Sequence, residues 1–127
     1  MRLLDTDVLV DVVRQHPPAI LWFSGNAEVL YAPGFALMEL VEGCRSKLDL
    51  AMIVELPKIV LPVWPSASSL QIGFDLFAQY YLSHNLGLID SLIAATALEQ
   101  GATLCTFNMK HFAVVPGLTT EQPYKRA

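Results

Sequence analysis

Met1-Arg2-Leu3-Leu4-Asp5-Thr6-Asp7-Val8-Leu9 opens the chain, and the way this stretch divides sets the fold. Its apolar start, ended by an acid, reads as a short buried strand over residues 2–5. Residues 6–14 read as the helix that strand feeds, with Asp5 or Thr6 able to cap it through a side-chain oxygen.

The same alternation continues downstream. Pro17-Pro18 punctuates and suits the first turn of a second helix reaching to about Gly25. Residues 28–32 form a candidate strand, ended by Pro33-Gly34. A helix over 35–44 carries Leu37, Leu40, Val41 and Cys44 at helical spacing, with Glu39 on a different side. Residues 48–56 continue as a helix broken by Pro57, and 59–63 look like a strand closed by Pro65. Ser66 caps a long helix to about His84, whose expected buried stripe is Leu70, Phe74, Phe77 and Tyr81. Asn85-Leu86-Gly87 turns the chain into a helix over 89–100, stopped by Gly101. Residues 103–106 form the next strand, His111-Phe112 a short turn, and 118–120 a last edge strand. Strands alternating with helices imply βαβ units. The expected architecture is one three-layer α/β/α domain with a mainly parallel central sheet over residues 1–120, and a loose tail over 121–127.

A chain of 127 residues holds one core and is too short for two. Hydrophobic residues make up 54% and charged ones 16%, so part of the apolar surface is expected to meet a partner, commonly a second copy. A net charge of −4 argues against a general nucleic-acid coat but not against an enzyme that handles a strand through a metal and a few local bases. Cys44 and Cys105, in apolar surroundings without CxxC spacing, read as reduced core thiols. Asp5 and Asp7 spoil any secretory apolar region at the start, and no run approaches the roughly 20 residues that span a bilayer. A cytoplasmic protein is expected.

Four polar residues far apart in the chain interrupt apolar stretches: Asp5, Glu39, Asp90 and Asn108. Buried carboxylates are costly unless paired, hydrogen-bonded or bound to a cation. Asp5 and Asn108 follow strands, Asp90 begins a helix, and Glu39 lies on a helix able to cross the same sheet end. All four can face one cleft where a parallel sheet switches direction. Packed carboxylates repel, and a divalent cation removes that penalty. Hard oxygen donors without a His/Cys pair at zinc spacing suit Mg²⁺, with Mn²⁺ as a substitute. Such a metal lowers the pKa of bound water and stabilises charge on a phosphodiester, so the reaction class is metal-assisted phosphodiester hydrolysis.

These residues carry a resemblance. Leu3-Leu4-Asp5-Thr6-Asp7-Val8-Leu9, Met38-Glu39-Leu40-Val41-Glu42-Gly43, Gly87-Leu88-Ile89-Asp90-Ser91-Leu92-Ile93-Ala94-Ala95-Thr96-Ala97 and Thr106-Phe107-Asn108-Met109-Lys110-His111-Phe112, followed by Pro116-Gly117-Leu118, together resemble the PIN domain. The match is nearest to VapC-type toxins of bacterial toxin–antitoxin pairs and spans nearly the whole chain in order. The resemblance implies a Mg²⁺-dependent ribonuclease, usually a homodimer, silenced by a cognate antitoxin whose segment fills the active-site groove. By position, Asp5, Glu39 and Asp90 match the family's metal-site acids. Asn108 falls where many members have a fourth acid; an amide orients a water or ligand but supplies no charge. Ala36 stands where the family often has a hydroxyl.

Thr6 is expected to hold a carboxylate through its hydroxyl, with Thr106 and Asn108 trimming the pocket and Asp7 a structural hydrogen-bonder beside it. His84 and His111 are expected to cap or pack rather than to act as the general base. Arg14, Arg45, Lys47 and Lys110 are the candidates for phosphate contact. Trp22, Phe23, Trp64, Phe74, Phe77, Tyr80 and Tyr81 are expected in core or interface. The alternative reading is a non-catalytic PIN-like protein-interaction module; a DNA-directed metallohydrolase on a similar sheet is a further rival.

Overall fold

The structure is a computed structural model that describes residues 1–126. The chain runs β1 (Arg2–Leu4), α1 (Thr6–Val13), α2 (Pro17–Gly25), β2 (Tyr31–Pro33), α3 (Gly34–Glu42), α4 (Lys47–Ile53), β3 (Leu61–Val63), α5 (Ala67–His84), α6 (Leu88–Gln100), β4 (Thr103–Cys105), α7 (Met109–Phe112) and β5 (Thr119–Glu121). A 3₁₀ turn at Leu56–Lys58 separates α4 from β3. The strands form one parallel sheet in the order β3-β2-β1-β4-β5. Beginning from β1, the chain first builds outward to β2 and β3, then returns to lay β4 and β5 on the other side. The direction therefore switches between β1 and β4, and the ends of these two strands bound the crevice where α/β sheets place their ligands.

A central parallel strand is covered on both faces and tolerates only apolar residues. Accordingly Leu3, Leu4, Leu104 and Cys105 are wholly buried, as are Val8 and Leu9 on α1 and Ile93 on α6. Each large aliphatic side chain so removed from water stabilises the fold by about 1.5–3 kcal/mol. Both cysteines are free thiols, and burial pushes that of Cys105 up to about 12, so it stays protonated in the core.

Caps set the helix limits. Asp5 caps α1 by accepting from the Thr6 N–H, and the Ser66 hydroxyl caps α5 by accepting from Ser69. Gly101, at φ 59°, ends α6 in the left-handed conformation that glycine takes without strain.

Several expectations need correction. The α5 stripe of Leu70, Phe74, Phe77 and Tyr81 is not the buried one; Ser69, Gly73 and Leu76 are buried, while Phe74 is 64% exposed. Helix α5 packs on α6 through small residues, since a Cβ on Gly73 would stand 2.8 Å from Leu92 Cδ2. A close helix contact selects small side chains, and that leaves Phe74 and Tyr81 outside. Of the aromatics expected in core or interface, Trp22, Phe23 and Tyr80 pack against the core and Trp64 is exposed. Strand β2 begins later than residue 28, and α4 ends at Ile53, before Pro57 can break it. His111-Phe112 belongs to the short helix α7 rather than to a turn. Glu121 completes β5, and Tyr124 and Arg126 are tied to α1, so the segment expected to be loose is held through residue 126. Ala127 lies outside the described residues.

Candidate active site

Strand β1 delivers Asp5 to the switch point, and the adjacent β4 delivers Thr106 beside it. The Asp5 N–H bonds to the Cys105 carbonyl at 2.9 Å, which extends the β1–β4 ladder to the rim of the crevice. There the Asp5 carboxylate, 5% exposed, accepts from the Thr6 N–H and from the Thr106 hydroxyl, each at 2.8 Å. The Thr6 hydroxyl donates to Glu39 Oε1 at 2.5 Å, tying α3 to α1. Thr6 and Thr106 therefore each hold one carboxylate. Asp7, one helical step on, accepts from the Phe107 N–H at 2.9 Å.

Negative charge accumulates here, offset only in part where the Arg126 guanidinium acts on Asp7. Burial, and then the neighbouring charges of Asp7 and Asp90, push the Asp5 carboxyl up to about 7 despite its hydrogen bonds from Thr106 and Thr6. Burial raises Asp7 as well. Its Oδ1 is buried with no hydrogen-bond partner among the described residues. Two neighbouring carboxyls raised by burial, Asp5 by like charge as well, with one orphaned oxygen, are the electrostatic signature of a cation or proton site.

Asp90 stands in the first turn of α6, and its Oδ2 lies 2.9 Å from His111 Nε2. Sequence reading missed this pairing. The only signal, a histidine in the segment after β4, does not reveal which acid it meets. Asn108 enters the network through its backbone, its N–H donating to the Thr106 hydroxyl at 2.9 Å, while the residue itself is exposed. Arg14 lines the cleft beside the site, and Arg45, Lys47 and Lys110 are exposed. Ala36 is fully buried.

The donors suit a hard, oxygen-seeking cation, because the site offers carboxylate and hydroxyl oxygens rather than thiolates. Among the described residues no three acidic, histidine or cysteine side chains form a ready cage. Mg²⁺ needs none, since it keeps several waters and takes one or two carboxylates. Asp5 offers one such carboxylate; Thr6 ties Glu39 to the same rim, and the charge of Asp90 reaches Asp5.

A cleft of about 520 Å³ leads away from Thr6 and Glu39 between α1, α3 and α4, with Val10, Leu40, Met52 and Ile53 in its walls. Among the described residues no helix is long and apolar enough to cross a membrane.

A parallel sheet carrying buried acids at its switch point defines an α/β domain built around an acidic crevice. A family model of the PIN domain matches residues 2–118, and the chain belongs to that family. It is 33% identical to Ribonuclease VapC19 of Mycobacterium tuberculosis over 128 residues, covering 98% of this chain and 100% of that protein. DNA-bound VapBC from Salmonella typhimurium shares its fold at TM-score 0.81 and 21% identity, covering 94% of this chain and 96% of that one. A toxin–antitoxin complex from Klebsiella pneumoniae does so at TM-score 0.77 and 23% identity, covering 98% and 99%.

Proposed function

We propose that this protein is a Mg²⁺-dependent endoribonuclease, the toxin of a type II toxin–antitoxin pair held in check by a cognate antitoxin. The observation that carries the reading is the buried Asp5 at the switch point, held by Thr106 and raised first by its burial and then by the charges of Asp7 and Asp90. The kinship with Ribonuclease VapC19 supports RNA as the substrate class. The resemblance to toxin–antitoxin complexes accords with an antitoxin partner.

Asp5, Glu39 and Asp90 would hold the ion, which when bound acidifies a water and offsets charge on the scissile phosphate. The chain's own part is orientation. Thr106 fixes one Asp5 oxygen and Thr6 fixes Glu39, so neither carboxylate must reorganise during reaction. Asp7 anchors the Phe107 backbone, and His111 on α7 fixes Asp90. Arg14, in the cleft wall, is placed to meet a phosphate.

The antitoxin segment would lie in the apolar cleft that begins at Thr6 and Glu39, covering the site as it fills the groove. A second copy would cover the exposed face of α5, where Phe74, Tyr81 and Leu82 stand in solvent. Function in the cytoplasm follows from a substrate and a partner that reside there.

The test is incubation of purified, antitoxin-free protein with pooled RNA and with single-stranded DNA, in Mg²⁺ or in EDTA. Discrete Mg²⁺-dependent cuts in RNA alone are expected. Cuts in DNA alone would move the assignment to a DNA-directed hydrolase. A folded protein that binds antitoxin and cuts neither would support the interaction module.

A further inference from the structure

The last described residues, 122–126, lie beyond the stretch that matches the family, yet they are built into the wall of the site. Arg126 grips Asp11 of α1 with two guanidinium nitrogens, Nε to Oδ2 at 3.0 Å and Nη2 to Oδ1 at 3.1 Å. Its Nη2 also lies 3.3 Å from the Asp7 carbonyl. The Tyr124 hydroxyl donates to Asp11 Oδ2 at 2.9 Å. From this double anchor both side chains reach over Phe107. The Arg126 guanidinium stands 4.4 Å from the Phe107 ring centroid, and the Tyr124 ring meets it edge-on at 5.0 Å. The Trp22 ring lies 6.0 Å from that of Tyr124, and His16 Nε2 lies 2.6 Å from the Arg126 carbonyl oxygen.

Phe107 sits between Thr106, whose hydroxyl holds Asp5, and Asn108, whose N–H holds that same hydroxyl. Its own N–H is the donor that Asp7 accepts. Movement of the Phe107 ring therefore displaces the peptide that aims Thr106. We infer that Tyr124 and Arg126 are positioning residues for the reaction, strapping the 106–108 corner to α1 so that Thr106 stays against Asp5. The reading rests on the Asp5-centred site proposed above. An alternative use of Arg126, as an anchor for an RNA phosphate, is disfavoured because its fork is already taken by Asp11 in a charge-assisted, two-point contact. Lysine lacks that fork, so the conservative variant tests the geometry rather than the charge.

The experiment compares the full chain with Arg126→Gln, Arg126→Lys and Tyr124→Phe, and with Lys125→Ala as control. Amide hydrogen exchange is read at Phe107, Asn108 and Asp5, alongside kcat and KM for RNA cleavage. Arg126→Gln is expected to speed exchange at Phe107 and Asn108 by about 10-fold and leave the Asp5 amide, bonded into the sheet, unchanged. The same variant is expected to lower kcat by about 10-fold with KM within about 2-fold, and Arg126→Lys to recover only part. Tyr124→Phe should shift exchange in the same direction by less, and Lys125→Ala should change nothing.

Unchanged exchange at Phe107 and Asn108 overturns the strap. So does faster exchange across the whole sheet, which marks only global destabilisation. A raised KM with kcat intact reassigns Arg126 to RNA binding. Because exchange is read without substrate or metal, a wild-type chain that cuts no RNA would defeat the nuclease reading while the strap is still decided.

Discussion

The Thr106 hydroxyl donates to Asp5 Oδ2 at 2.8 Å, joining residues 101 positions apart at the one place where the sheet reverses its order of assembly. This bond aims the carboxylate, and its second partner, the Asn108 N–H, aims the hydroxyl. Removing the hydroxyl while keeping the shape should therefore loosen Asp5 without emptying the core. Thr106→Val is expected to lower activity or metal affinity by about 10–100-fold, and Thr106→Ser to restore most of it. Kinetics and metal titration on both variants check this, with equal activity of Val and wild type as the contrary result.

The acids of the site oppose folding when no cation is bound. Asp5 titrates at about 7 in the folded chain against an ordinary 3.8. The folded state therefore holds an extra proton between those values. Its stabilising contribution is complete below about pH 4 and is lost as the pH rises through about 7. In full the loss is about 4 kcal/mol, because each tenfold difference in proton affinity between the folded and unfolded chain is worth about 1.4 kcal/mol. Asp5→Asn is thus expected to be more stable than wild type at pH 8 in EDTA, with the gain shrinking toward pH 5. Mg²⁺ should raise the wild-type melting temperature at pH 8 more than that of the variant. Urea unfolding at the two pH values measures it.

His111 fixes Asp90 through a 2.9 Å contact in which an ionised carboxylate can only accept. His111→Ala should weaken Mn²⁺ binding by about 10-fold, and His111→Gln, which keeps a donor, by less. Calorimetric titration on the variants reports it directly. Identical affinities for all three would leave the histidine a packing residue, as the sequence alone suggested.

Much of the fold was legible because local rules and tertiary structure agree there. Asp5 before Thr6, Pro17 at a helix start, Ser66 before α5 and Gly101 after α6 are all local signals, and each terminus lies where they put it. The buried face of α5 was not legible. Hydrophobicity favours Leu70, Phe74 and Tyr81, but the contact with α6 is decided by how closely two backbones approach, and that selects Ser69 and Gly73. The acids Asp5, Glu39 and Asp90 were legible as polar breaks in apolar stretches. Their partners divided along a similar line. Thr6 was expected to hold a carboxylate and Thr106 only to trim the pocket, whereas Thr106 on Asp5, His111 on Asp90 and Arg126 on Asp11 join residues that no local spacing relates.

That close approach gives a stability prediction independent of the site. A Cβ on Gly73 would crowd the end of the Leu92 side chain, which can turn aside, and would meet Ala95 Cβ and Leu92 Cα at an ordinary 3.6 Å, so Gly73→Ala should be near neutral once its better helix propensity is counted. Gly73→Leu has no such escape and should cost about 1–3 kcal/mol. Chemical denaturation of the two variants separates these outcomes; a tolerated leucine would mean the α5–α6 contact is looser than described.

The most direct measurement is cleavage of one defined RNA by wild type and by Asp5→Asn, both shown folded by circular dichroism, with Mg²⁺ and with EDTA. Cuts by wild type in Mg²⁺ only, and none by the variant under either condition, are expected. Undiminished Mg²⁺-dependent cutting by folded Asp5→Asn, or cutting by wild type that persists in EDTA, would contradict a metal site centred on Asp5.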